Sequence, residues 1–249
     1  MRPVDRPRWR FVARGRDLRY RRPEAPRTST PGVIVSIRRA WDDHALVDAT
    51  GQVWVGTEVL HVILRTTRSR AMHFVRWVPA RDRVQLEGSR YVRGWQVAQR
   101  IDRDLQACAR LIRSEYLEFS EQHYHGVRND TEAKLLRVRH QESLRQLSRR
   151  LKAERIRELS LSHDELTGEP LEPRSSHFAH VLSRSVYPEY LDCVWNGLVV
   201  NPTTHEALTA ADLIDDADLA SFCARRGLST AWHAPFAASW SDARRGRGS

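Results

Sequence analysis

Cysteine is scarce in this chain and badly spaced for structural chemistry. Cys108, Cys193 and Cys223 lie far apart, so no Cys-x-x-Cys pair exists to grip a zinc knuckle, and three such residues do not make a disulfide framework. Glycine is scattered, with only 12 in 249 residues, and no glycine-rich phosphate loop can be traced. Lysine is nearly absent, so arginine carries almost all of the positive charge. No stretch approaches the roughly 18–20 apolar residues of a membrane span. The N-terminus is basic without the apolar centre of a secretory signal. Internal repeats and a Ser-His-Asp nucleophile pattern are also missing. The chain therefore reads as intracellular and soluble, with a cytoplasmic location and no membrane partner.

What is present is charge. The formal net charge is +10, a field that attracts polyanions and speeds their encounter. Arginine forms forked contacts with phosphate and with guanine edges. An acidic membrane surface would also attract such a chain, but no amphipathic basic helix stands out for it. A chain of 249 residues can bury one good core or two to three small ones.

The pattern changes along the chain. Ten arginines and four prolines precede Thr28, and residues 1–31 read as a flexible basic arm whose Trp9, Phe11 and Tyr20 either stack on bases or anchor the arm. Residues 32–100 read as β. Short runs at Val33–Ile37, Ala45–Asp48, Gln52–Val55, His61–Leu64, Met72–Val78, Arg83–Glu87 and Tyr91–Ala98, with Asp48-Ala49-Thr50-Gly51 as a tight turn between two of them, suggest a small antiparallel barrel of SH3-like or OB-like type. Arg76 and Arg81 stand beside Phe74 and Trp77 as candidate phosphate contacts, the aromatics being assigned to a buried core.

Residues 101–160 turn helical. Leu105, Ala109, Ile112, Tyr116 and Phe119 mark one stripe, closed by His123-Tyr124-His125-Gly126. Asn129-Asp130-Thr131 offers caps for a second helix reaching Glu158. This reads as a helical hairpin linker and a candidate homodimer surface. Residues 237–249 read as a disordered tail, and the aspartates at 212, 215, 216 and 218 as helix caps.

The segment between 161 and 236 carries the chemistry. His180, Asn196 and His205 fall 16 and then 9 positions apart in an apolar, turn-rich stretch. His180 sits near the end of a short strand. Asn196-Gly197 favours a tight hairpin turn. Pro202-Thr203-Thr204 opens a helix with His205 on its first turn. A neutral imidazole titrates in the range needed to take a proton from water.

Thr167-Gly168-Glu169, Ala179-His180-Val181, Asn196-Gly197-Leu198 and His205 together resemble the HNH nucleases. That resemblance implies a ββα-metal module, α+β in class, over about a quarter of the chain. It implies His180 as general base, Asn196 as brace of the loop carrying it, and His205 as ligand of one divalent ion. Magnesium or manganese leads, with zinc or nickel better suited to imidazole. Ala179 stands where many relatives have a second ligand. Alternate residues of a strand share a face, which makes His177 the candidate replacement. His163, near the family's first knuckle cysteine, is a weaker one. Arg174 and Arg184, on either side of His180 within the module, are candidate nucleic-acid contacts.

The expectation is a metal-dependent endonuclease acting on DNA ahead of RNA, modular in the manner of restriction and phage-encoded enzymes. Two alternatives stay open: a catalytically inactive HNH-fold nucleic-acid-binding scaffold, and an interaction protein dimerising through residues 101–160.

Overall fold

A computed structural model describes residues 10–27, 29–107, 111–172 and 174–246. The fold is α+β. The chain divides into two compact units, residues 1–141 and 142–249.

The first unit is built on one antiparallel sheet. Strand β1 (Phe11–Arg14) pairs with β2 (Ala45–Asp48), which forms a hairpin with β3 (Val53–Gly56). Helix α1 (Pro31–His44) precedes β2, and α2 (Leu60–Ile63) and α3 (Arg68–Trp77) follow β3. A second hairpin, β4 (Arg83–Leu86) and β5 (Ser89–Arg93), joins the sheet through β5, giving the order β1-β2-β3-β5-β4. The ends do not meet, so the sheet is open and not the expected barrel.

Three of the expected strands are helices. Val33–Ile37 looks like a β-branched strand, but it follows Pro31 at the first turn and buries Ile34, Ile37, Ala40 and Trp41 at helical spacing. His61–Leu64 falls largely within α2, with Leu60, Ile63 and Leu64 buried. Met72–Val78 lies mostly in α3, whose cap Thr67 accepts the Arg70 amide at 3.3 Å and whose Ala71 and Val75 face inward. The run from Tyr91 ends as a strand at Arg93. Helix α4 (Gly94–Gln106) then starts with Val97 and Ile101 in the core.

The β2–β3 turn shows why that hairpin was readable. Asp48 is buried, and its Oδ1 accepts the amides of Thr50 and Gln52 at 2.8 and 3.0 Å while Oδ2 accepts the Trp54 indole N–H at 2.8 Å. Gly51 supplies the left-handed φ of +76°.

The stretch read as a flexible arm is part of this unit from Arg10 onward. Phe11 begins β1 and meets Trp54 and Tyr91 edge-on, while Leu18 and Tyr20 are core residues. Trp9 lies outside the described residues, as does Ala109 of the expected helical stripe. Helix α5 (Leu111–Asn129) runs through Gly126 without stopping. A Cβ there would come within 2.3 Å of the Tyr20 ring, so the glycine permits close packing. Asp130 opens α6 (Thr131–Leu159), accepting the Glu132 amide at 2.8 Å and the Arg19 amide at 3.0 Å.

The division between the units falls within α6. The second unit centres on a two-stranded ribbon, β6 (His177–His180) and β7 (Gly197–Val200). Phe178 and Val199, opposite each other, pack with Leu151 of α6. Ala179, Leu198 and Val200 join a core with Leu219, Phe222, Trp232 and Phe236. Those last residues come from α8 (Asp216–Arg226) and from α9 (His233–Arg245) with its preceding residue, and α7 (Pro202–Ala210) directly follows β7. Helix α9 occupies most of the stretch read as a disordered tail, because Phe236 is buried and Trp240 packs against it. Asp215 caps α8 by accepting the amides of Ala217 and Asp218, each at 3.1 Å. Among the described residues no helix is long and apolar enough to cross a membrane.

Candidate functional site

The ribbon and α7 assemble the site residues in the order strand, strand, helix. Register pairs His177 with Val200, Ala179 with Leu198 and His180 with Gly197. Alternation then places His177 and Ala179 on one face of β6, and Phe178 and His180 on the other.

His205 stands in α7, and its amide donates to the Asn201 carbonyl at 2.9 Å as the helix begins. Its imidazole stacks on that of His177, with centroids 4.5 Å apart and planes 23° from parallel. Burial, then the neighbouring His177 and Arg184 charges, push the His205 pKa below its usual value, against a smaller opposing effect of Glu206. The His205 ring is thus favoured in neutral form, the form that can ligate a metal. Each imidazole carries nitrogen of the kind that ligates a divalent ion. Among the described residues no group of three or more His, Cys, Asp or Glu side chains gathers around one metal position.

His180 is held differently. Its Nε2 lies 3.0 Å from the Leu191 carbonyl, which can only accept, so Nε2 carries the proton in the neutral ring. The lone pair is left on Nδ1. Phe178 meets the ring edge-on at 5.1 Å. Burial lowers the His180 pKa and the Arg184 charge lowers it further, while the Leu191 bond opposes them. Arg184 is therefore close enough to act on both His180 and His205, and its own side chain is exposed.

Asn196 is fully buried and braces the connection between the strands. Its Nδ2 donates to the Tyr190 carbonyl at 3.0 Å, and its Oδ1 accepts the Leu182 amide at 2.8 Å. The Asn196-Gly197 step is not the expected hairpin turn. Asn196 closes a short 3-10 turn, and Gly197 starts β7 with an extended φ of −168°. A Cβ on Gly197 would come within 2.3 Å of the Phe178 ring, so the glycine is there for contact.

Sequence reading missed the residues that hold this frame. Asp164 is buried and accepts the Leu166 and Thr167 amides through Oδ1, and the Asn201 amide and Thr204 hydroxyl through Oδ2 at 2.7 and 2.8 Å. It thereby fastens the start of the helix that carries His205. Glu165 forms a two-pronged, largely buried pair with Arg155, at 2.7 and 2.8 Å, and also accepts the Val199 amide at 2.6 Å. That pair fixes α6 to β7. The turn residues Thr167-Gly168 were visible signals for the loop, but nothing local marked its carboxylates.

The remaining expected residues are spread out. His163 is exposed, with Ser162 beside its Nδ1 at 2.9 Å, and makes an isolated bridge to Pro170. Arg174 is exposed in the turn before β6. Arg76 and Arg81 are exposed and belong to the first unit. The chain matches no protein-family model, no curated protein and no solved structure.

Proposed function

We propose that the second unit is a metal-dependent endonuclease of HNH type that hydrolyses phosphodiester bonds in DNA. The observation that carries this reading is the state of His180. A carbonyl fixes its Nε2–H, burial favours the neutral ring, and the basic Nδ1 lone pair remains for a water. Asn196 holds the loop that supplies that carbonyl by bonding the carbonyl of neighbouring Tyr190. Arg184, charged and exposed near both His180 and His205, is suited to draw a phosphate to them. His177 and His205 would hold a divalent ion, manganese or magnesium first and zinc or nickel by donor type. Such an ion, when bound, neutralises charge on the scissile phosphate and its leaving oxygen. His180 accepts the proton of the attacking water at Nδ1 and passes it to solvent. The net charge of +10 favours a polyanionic substrate.

A second reading is an inactive scaffold that binds nucleic acid without cutting it. Ala179, and the absence among the described residues of a third ligand, favour it. Plasmid cleavage separates the two, using purified protein with magnesium, manganese, nickel or EDTA. Metal-dependent nicking that falls at least about a hundredfold in His180→Ala supports the nuclease. A gel shift without nicking, or equal nicking in both proteins, overturns it.

A further inference from the structure

In the first unit, the outer face of α3 carries an indole that the fold does not use. Trp77 is 78% exposed, whereas Phe74, three residues earlier, is partly buried against the core. Exposing so large an apolar ring is uncommon without a partner. The Trp77 Nε1–H points to His73 Nε2 at 3.4 Å, which props the indole along the helix. Arg70, His73 and Trp77 follow i, i+3, i+7 spacing and share one face, with Arg76 beside them. Ala71 and Val75 occupy the buried side.

The sequence on either side of this helix is strongly basic. From Arg65 to Arg93 the sequence holds eight arginines and two acids. One acid, Asp82, is buried and occupied by Gln96 at 3.0 Å and Arg93 at 3.4 Å. The other, Glu87, sits in the β4–β5 turn. Among the described residues no carboxylate pairs with Arg70, Arg76, Arg81 or Arg83, and all four are exposed.

We propose that this face of α3 binds single-stranded nucleic acid, with Trp77 stacking on an unpaired base and Arg70 and Arg76 contacting the flanking phosphates. An exposed indole on a helix that also carries the exposed Arg70 and Arg76 suits a chain that alternates flat apolar rings with negative charges. A duplex hides its base faces and would leave the indole idle. A membrane-inserting surface needs more than one apolar side chain, and the neighbours of Trp77 on this face are Arg70, His73 and Arg76. The inference stands on the first unit alone and does not require the nuclease reading.

The test is fluorescence anisotropy of the full-length protein with labelled oligothymidylate and oligouridylate, a duplex of matched length, and anionic vesicles as competitor. EDTA is present throughout, so cleavage plays no part. Both single strands should bind more tightly than the duplex. Trp77→Ala should weaken them by about fivefold to a hundredfold, and Trp77→Phe, which keeps a ring, should recover most of the loss. Arg70→Gln and Arg76→Gln should each lower the slope of log affinity against log salt by roughly 0.7. Absence of single-strand binding, unchanged affinity in Trp77→Ala, equal losses in the Ala and Phe variants, or Trp77-dependent binding to vesicles in place of oligonucleotides would each overturn the proposal.

Discussion

The imidazoles of His177 and His205 come from a strand and a helix and lie face to face at 4.5 Å. Two cationic rings would repel at that distance, and the depressed pKa of His205 reflects burial first and that neighbour next. If the pair receives a metal, nickel or zinc should bind more tightly than magnesium by titration calorimetry. His177→Ala and His205→Ala should each weaken binding by at least about tenfold, the lower end of what even outer-shell changes cost. Affinity should fall as the pH drops into the range where the imidazoles take protons. Unchanged affinity in either variant would remove that histidine from the ligand set.

His180 supplies a sign for the pH dependence of any cleavage. Its pKa is lowered, so its neutral, proton-accepting form persists to a pH below the usual histidine value of 6.5. Activity at saturating metal should rise with pH and reach its plateau with a midpoint under 6.5. Reversing the opposed charge should move that midpoint: Arg184→Glu is expected to shift it upward. A wild-type midpoint above 6.5 would exclude His180 as the titrating base.

Asn196 and Gly197 are adjacent, but their substitutions should fail for different reasons. Asn196→Ala leaves the buried Leu182 amide without its acceptor, at about 1–3 kcal/mol, while the Tyr190 carbonyl keeps the Cys193 amide at 3.3 Å. Gly197→Ala keeps those bonds but drives a methyl into Phe178, an overpacking cost of about 1–3 kcal/mol. Urea denaturation should show both losses. A Phe178→Leu change should rescue Gly197→Ala and leave Asn196→Ala unrelieved, and the absence of that difference would refute the two mechanisms.

These contrasts explain what was legible beforehand. Pro202 and the histidine behind it marked α7, and Asp48 through Gly51 marked the first hairpin, because the deciding chemistry lies within a few residues. Val33–Ile37 was misread because five residues of β-branched character cannot reveal a period that becomes clear only with Ala40 and Trp41. Asn196-Gly197 imitated a turn, but Phe178, 18 positions from Asn196, decides what the glycine is for. Asp164 was invisible as a site residue because its partner Thr204 is 40 positions away. Trp77 was assigned to a core that the helical α3 turns away from it.

His123 makes the first unit sensitive to acid. It is fully buried between Tyr20, whose hydroxyl lies 2.9 Å from Nδ1, and the edge-on ring of Phe119. Burial, reinforced by the charges of Arg38 and Arg22, pushes its pKa down to about 3. The unfolded chain, titrating at the ordinary 6.5, binds more protons than the folded one between those values. Stability from this group is therefore complete above 6.5 and is lost as the pH falls toward 3. The slope is about 1.4 kcal/mol per pH unit for one such group. His180 and His205 add slopes of the same sign in the second unit, so the test compares wild type with His123→Gln by urea denaturation across that window. The glutamine variant is less stable at neutral pH, since its side chain does not fill the imidazole's place. Its stability should nevertheless decline less steeply on acidification, by about 1.4 kcal/mol per unit. Parallel curves would show that His123 binds its proton equally in the folded and unfolded chain across that window, and would overturn this account.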